Sequence, residues 1–215
     1  MKVVGLVGRK RSGKDTAAEI FESKGWYRTS FAKALYAEVA EAFGVTVEQL
    51  QEHEHKEVPW VPLASCKDAE FVELAKALAR VSILDHEDRQ GIFTEDLVDI
   101  RLSPRRILQW WGTEYRRKDD TFYWVRRLSE ELAFVKPERV VISDIRETHE
   151  AAYVKRQDSG ILVKVIRPDL QLDKGTGTHT TETGVDSINT DYEILNFSTL
   201  ESFKSSVEAF ETEIR

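Results

Sequence analysis

The residues best suited to do chemistry stand in one run near the start of the chain, Gly8-Arg9-Lys10-Arg11-Ser12-Gly13-Lys14-Asp15-Thr16. The spacing G-x-x-x-x-G-K is that of a loop that binds polyphosphate. Glycines at its ends let the backbone turn tightly and approach an anion, successive N–H groups point inward at a helix N-terminus, and the lysine reaches the outer phosphates. One position departs from the common form: Asp15 stands where a Ser or Thr usually helps to hold magnesium, and Thr16 follows it. A carboxylate is a good hard-oxygen ligand for Mg²⁺, so Asp15 and Thr16 are the expected metal residues, with the Thr16 hydroxyl also within reach of an inner phosphate. Gly8, Arg11, Ser12, Gly13, Lys14, Asp15 and Thr16 form the expected nucleotide-binding set. A chance glycine-rich turn is the alternative, and the flanking sequence argues against it.

Such a loop works only between a strand and a helix. Val3-Val4-Gly5-Leu6-Val7 supplies the apolar strand, and Ala17-Ala18-Glu19-Ile20-Phe21 reads as the helix. Downstream, the pattern predicts a strand over 26–30, then a helix over 31–43 with Leu35, Val39 and Phe43 on one face and Gly44 at its end. Residues 46–57 are acidic with one short helix, Pro59 and Pro62 mark a loop, and 66–81 is helical with Phe71, Leu74, Leu78 and Val81 as its apolar face. No element is assigned over 82–102. Ser103-Pro104 opens a helix running to Gly112, with Pro at its first position. A helix over 121–134 presents Phe122, Val125, Leu128 and Leu132 and ends at Pro137. The remainder reads as a strand over 139–144, a helix over 147–157, a strand over 161–166, a polar loop over 169–190, a strand over 192–196 and a terminal helix over 200–214. Strands that alternate with helices imply an α/β three-layer sandwich, a parallel sheet with helices on both faces. Ligands of such sheets sit beyond the carboxyl ends of the strands, where Gly8, Ser30, Asp144 and Arg167 all fall.

At 215 residues the chain is long enough to bury a sizeable core, and one domain is the expectation. The net charge of −7 argues against a nucleic-acid polymer or an anionic membrane as partner, and leaves a small phosphorylated substrate open. A single cysteine, Cys66, forms no internal disulfide and suits a reducing cytoplasm. Neither a signal peptide nor an 18-residue apolar span is read, so the expected location is cytoplasmic.

Further positions carry charge where chemistry needs it. Asp144 follows Val140-Val141-Ile142 directly, the layout of an acid that orders magnesium beside a phosphate loop; capping the next helix is the structural alternative, and the two are compatible. Arg146 and Glu150 lie four apart, either as a surface ion pair or with Arg146 at the cleft. Arg105-Arg106 open a helix, and guanidinium forks match phosphate oxygens. Arg116-Arg117-Lys118 reads as a solvated run. Of the dense aromatics Trp110, Trp111, Tyr123 and Trp124, most are expected in the core, with one available to stack on a base. His53-Glu54-His55 reads as a solvated charge run, because no further ligands at zinc spacing follow. A phosphate acceptor needs no general base, whereas a hydroxyl acceptor would need a carboxylate such as Asp144.

Together these blocks resemble the bacteriophage deoxynucleoside monophosphate kinases, in whose phosphate loop Asp also follows the Lys. The blocks are the loop itself; Arg105-Arg106-Ile107-Leu108-Gln109 leading to Gly112-Thr113-Glu114; Tyr123-Trp124-Val125; Asp144-Ile145-Arg146 with His149-Glu150; Arg167-Pro168; and Thr178-His179-Thr180-Thr181-Glu182 followed by Asp191-Tyr192, Asn196 and Ser198-Thr199-Leu200-Glu201. They run in order over nearly the whole chain, apart from about 46–102. The resemblance implies a P-loop kinase fold, with a helical substrate-binding region at about 46–135 and a lid at 169–190. It implies transfer of the γ-phosphoryl of ATP to a dNMP with Mg²⁺. Lys14, Arg11, Arg105 and Asp144 would be catalytic, and Lys10, Arg105, Gly112, Thr113, Trp124, Asp144, Arg146 and Glu150 would bind the acceptor. It also suggests a homodimer in the cytoplasm of an infected host. Two competing readings are a kinase of another small molecule such as dephospho-coenzyme A, and a non-catalytic ATP-binding module. A coupled ADP-release assay across dNMPs, NMPs and dephospho-coenzyme A separates all three.

Overall fold

A computed structural model describes residues 1–52, 54–84, 100–168 and 184–215. The chain divides into two compact units, one of Met1–Phe31 with Val125–Arg215, the other of Ala32–Trp124.

The first unit is built on β1 (Lys2–Val7), α1 (Lys14–Ser23) and β2 (Tyr27–Thr29), and continues with β5 (Arg139–Ile145), α7 (Thr148–Lys155), β6 (Ser159–Ile166), β7 (Tyr192–Leu195) and α8 (Leu200–Ile214). Its five strands order as β2-β5-β1-β6-β7, and every pairing is parallel. The first strand is therefore central, which explains its unbroken apolar run: a strand flanked on both edges and covered on both faces has no solvent side. Val4 and Leu6 face α1 and α8, packing with Ala17, Phe21, Phe203 and Val207. Gly5 faces the other way, where an added Cβ would stand 3.2 Å from Val154 of α7 and closer still to Ile145. Helices thus cover both faces of the sheet, as the alternation predicts.

The second unit contains the rest of α2 (Phe31–Phe43), α3 (Val47–Gln51), β3 (Val61–Pro62), α4 (Ala69–Leu84), β4 (Arg101–Leu102) and α5 (Pro104–Gln109). The next helix, α6 (Tyr123–Val135), starts at its end. The strand pair β3–β4 is antiparallel, Val61 opposite Leu102. Ser103 caps α5, its Oγ accepting from the Arg106 N–H at 3.3 Å with Pro104 at the first position, as read from sequence. Phe43, Phe71, Trp111 and Tyr115 form the aromatic centre, with Phe71 and Trp111 centroids 4.7 Å apart.

Three expectations are corrected. The helix opened by Pro104 does not stop at Gly112: it passes into a π-helix over Trp110–Arg116, so Gly112 lies inside it. A Cβ there would meet Leu35 of α2 at 3.2 Å, so the glycine serves helix packing rather than termination. The buried face of α4 is Phe71, Ala75 and Ala79, while Val81 is exposed; small side chains let the helix approach its neighbours closely. On α6 the buried set is Trp124, Leu128 and Leu132, and Phe122, which precedes the helix, is 54% exposed.

One buried polar group ties the first unit together across its ends. Glu211 of α8 is 1% exposed. Its Oε1 accepts from Trp26 Nε1 at 2.8 Å and lies 3.5 Å from the Arg139 guanidinium. Removing the carboxylate leaves the indole N–H without its acceptor and the part-buried Arg139 guanidinium without its counter-charge, a loss of the costly kind. Glu211→Ala is expected to lower unfolding stability by about 2–4 kcal/mol in urea titration, and Glu211→Gln, which keeps an acceptor, by less than half of that.

Candidate active site

The phosphate loop leaves the carboxyl end of the central strand and is locked there by its neighbours. At Gly8 a Cβ would stand 2.6 Å from the Val165 carbonyl of β6. Gly13 adopts φ 109°, and a Cβ there would stand 2.7 Å from Asn196 Nδ2 and 3.1 Å from Phe203. Between them Arg11 holds φ 65°, an unusual conformation for a residue with a side chain. The loop carbonyls point back at Lys14, whose Nζ donates to Gly8 O at 2.6 Å and Arg9 O at 2.8 Å. That pins the ammonium under the turn, where Lys14 is only 9% exposed. Ser12 Oγ is buried and has no hydrogen-bond partner among the described residues.

Asn196 is the residue sequence reasoning undervalued. Its N–H donates to Ile166 O at 2.7 Å and its Nδ2 to Ser12 O at 2.9 Å, so it straps the end of β6 to the loop. The sequence reads it as the last residue of a strand over 192–196 and as one position of a family block, with no role attached; the strand ends at Leu195. A pocket opens beside the loop, lined by Arg11, Gly13, Lys14, Asp15 and Thr16 and, from the other end of the chain, by Arg167, Asn196, Ser198, Leu200 and Phe203. A smaller pocket lies behind it, between Gly8, Arg9, Ser12 and residues 164–167, where Arg9 pairs with Asp186. The loop and Arg167 are thus together, as their positions at strand ends imply.

Asp15 is exposed in the first turn of α1, 3.5 Å from Arg28. Its carboxylate and the Thr16 hydroxyl are hard-oxygen donors on the pocket wall and fit a Mg²⁺ ion. Lys10 and Arg11 are exposed on the loop. Asp144 does not cap its own following helix: Oδ1 accepts from the Phe31 N–H at 2.8 Å, at the start of α2. Glu150 is buried, and its Oε2 accepts from the backbone N–H groups of Arg146 at 2.8 Å and Glu147 at 3.0 Å, closing a capping box on α7. The spacing suggests a surface ion pair with Arg146 or Arg146 at the cleft; instead the carboxylate is taken by backbone N–H groups, and the Arg146 side chain is exposed. Burial first, and the neighbouring Asp144 charge second, push the Glu150 carboxyl up to about 7.

Within the second unit, Arg105 is exposed and pairs with Glu57. Trp124 Nε1 donates to Gly112 O at 3.1 Å, which fixes the indole on the π-helix, and the Thr113 hydroxyl accepts from Arg117 Nη2 at 3.0 Å. Trp110, Trp111 and Trp124 are all buried. Cys66 is half-buried, and burial raises its thiol pKa, which does not favour a nucleophile. His53 and residues 169–183, which hold most of the expected lid and the Thr178–Glu182 block, lie outside the described residues. Among the described residues no helix is long and apolar enough to cross a membrane.

Comparison with known proteins points in one direction. The family model described as deoxynucleotide monophosphate kinase matches residues 63–207. A protein of Acanthamoeba polyphaga mimivirus, assigned as a deoxynucleotide monophosphate kinase, is 28% identical over 222 residues, 96% of this chain and 94% of that one. The deoxynucleoside-5'-monophosphate kinase of Escherichia phage T5 is 28% identical over 240 residues, 97% and 95% of the two chains. Among solved structures, a dephospho-CoA kinase from Campylobacter jejuni is 14% identical with a TM-score of 0.48, covering 99% of this chain and 97% of that one; likeness at that level assigns no substrate.

The raised Glu150 pKa has a definite sign in stability. The folded state holds this proton more tightly than the unfolded chain, whose value is 4.5, so the group contributes most at low pH and its contribution fades as pH rises through about 7. A glutamine oxygen can accept both N–H groups that Oε2 now accepts. Glu150→Gln is therefore expected to gain about 2–3 kcal/mol relative to wild type between pH 5 and 8.5, read from urea unfolding across that range.

Proposed function

The chain belongs to the deoxynucleotide monophosphate kinase family, and from that premise we propose that it transfers the γ-phosphoryl group of ATP to a deoxynucleoside monophosphate, giving the diphosphate and ADP. The observation that carries this reading is the pocket that joins Lys14, held by its own loop carbonyls, to Arg11, Asp15, Thr16 and Arg167. Cations and backbone N–H groups concentrated around one turn suit a nucleotide tail.

In this reading Gly8, Ser12 and Gly13 bring the backbone N–H groups of the loop to the phosphates of ATP. Lys14 lies against their outer oxygens. Asp15 and Thr16 hold Mg²⁺, which when bound offsets phosphate charge. By the family resemblance, Lys10, Arg11 and Arg105 are assigned to the acceptor phosphate and the migrating group, whose oxygens gather negative charge in the transition state that cations stabilise. The acceptor oxygen is already anionic at neutral pH, so no side chain has to remove a proton. Asp144 then acts by position, holding the first turn of α2 through the Phe31 N–H. By the family resemblance, Gly112, Thr113 and Trp124 are assigned to the nucleoside, and Arg146 and Glu150 to its sugar and base. Small soluble nucleotides as substrates suit a cytoplasmic enzyme.

A coupled ADP-release assay across dNMPs, NMPs and dephospho-coenzyme A tests the assignment. Turnover is expected with dNMPs, and Lys14→Ala is expected to lower kcat/KM by about 10²–10³-fold, the scale of deleting one preorganised charge at a transition state. Turnover with dephospho-coenzyme A alone, or with no acceptor, would replace this reading by another kinase or by a nucleotide-binding module.

A further inference from the structure

In the second unit three side chains converge on one carboxylate. Glu38 Oε2 accepts from Trp111 Nε1 at 3.1 Å and from Arg116 Nε at 2.9 Å, while its Oε1 accepts from the Tyr123 hydroxyl at 2.7 Å. The π-helix makes this convergence possible. In an α-helix, residues five apart are rotated about 140° from one another, whereas i→i+5 bonding stacks them on one face. Trp111 and Arg116 are five apart, and both reach the same oxygen.

The Arg116 guanidinium is held from its sides as well. It lies 4.6 Å from the Tyr115 ring centroid, 5.2 Å from that of Trp111 and 5.4 Å from that of Tyr123. Tyr115 is fixed in turn, its hydroxyl donating to Asp68 at 2.9 Å. A solvated surface arginine, which the run Arg116-Arg117-Lys118 suggests, would not be gripped in this way. Only Nε is used on Glu38, and among the described residues neither terminal nitrogen of Arg116 has a hydrogen-bond partner. Its side chain keeps 28% of its exposure. A guanidinium anchored at Nε and stacked between rings presents its two terminal NH₂ groups as a preorganised fork, the shape that matches two oxygens of a phosphate. Arg105, by contrast, uses its Nε on the exposed Glu57 and is stacked on no ring among the described residues.

We propose that Arg116, positioned by Glu38 and its aromatic cage, is an anion-binding residue of the second unit and holds the phosphate of the acceptor nucleotide. This rests on the reading of the chain as a monophosphate kinase and adds a phosphate ligand to it. Glu38 is a positioning residue: it fixes the fork and does not touch substrate.

The test uses the whole chain and two readouts. In ADP-release kinetics, Arg116→Gln is expected to raise KM for dNMP at least tenfold and leave KM for ATP within twofold of wild type. Arg116→Lys, a point charge without the fork, is expected to recover only part of that loss, and Glu38→Gln to raise the same KM by a smaller factor. A merely structural arginine would lower the melting temperature and move neither KM selectively; a dNMP KM within twofold of wild type in Arg116→Gln overturns the proposal. The second readout needs no variant. Phenylglyoxal labelling of the wild-type protein, mapped by mass spectrometry, is expected to show at least threefold protection of Arg116 by dNMP and none by ATP alone. Unchanged labelling at Arg116 overturns the proposal even where the variants fail to fold. Wild-type protein without dNMP turnover would refute the kinase reading, and protection of Arg116 by dNMP would still support the anion site.

Discussion

There is no room for a side chain where the phosphate loop crosses the end of the sheet, and the site follows from that constraint. Gly8 is shut in by the Val165 carbonyl and Gly13 by Asn196 and Phe203. These contacts come from the far end of the sequence, from β6, from the segment joining β7 to α8, and from α8 itself. The loop is therefore held by the whole sheet and not by its own turn alone. Placing the first strand at the centre, between β5 and β6, is what lets distant segments close on it. With the backbone so fixed, Lys14 is oriented by two carbonyls before any ligand arrives. A cation already in place needs little reorganisation when charge develops, which is the condition for electrostatic catalysis.

The same logic recurs wherever a charge is buried. Glu211 satisfies Trp26 and faces Arg139 in the first unit, and Glu38 satisfies Trp111, Arg116 and Tyr123 in the second. Each is one carboxylate serving several donors, so losing it strands more than one partner. Glu131 does likewise for the Tyr27 and Thr29 hydroxyls beside β2. Glu150 differs: its donors are backbone N–H groups, which favour the charged form, but burial first and the Asp144 charge second outweigh them and hold the proton on the carboxyl.

What was legible in the sequence was local. The phosphate loop, α2 from Phe31 to Phe43 and α8 from Leu200 to Ile214 follow from glycine spacing, apolar periodicity and capping residues, which act over a few positions. The parallel sheet followed from alternation alone. What was hidden depends on long-range partners. Nothing near Asp144 says that its carboxylate meets the Phe31 N–H, more than a hundred residues away, and nothing near Asn196 says that it grips Ser12. The π-helix at Trp110–Arg116 escaped because its i→i+5 bonding leaves no periodic apolar signature, and Gly112 looked like a stop signal for the same reason. On α4 the bulky residues at helical spacing drew attention from the alanines that are in fact innermost. Family resemblance reached further than periodicity, because blocks in a fixed order along the chain point to a family, and the family model matches residues 63–207.

The central claim is that backbone geometry at the loop creates the nucleotide site, and calorimetric titration of ATP with Mg²⁺ into the Gly13→Ala protein tests it most directly. A methyl group at φ 109° and 2.7 Å from Asn196 must displace the turn while leaving the sheet intact. The account predicts a folded protein whose ATP affinity is at least about tenfold weaker than wild type, a difference near 1.4 kcal/mol. Wild-type affinity in that variant would contradict it.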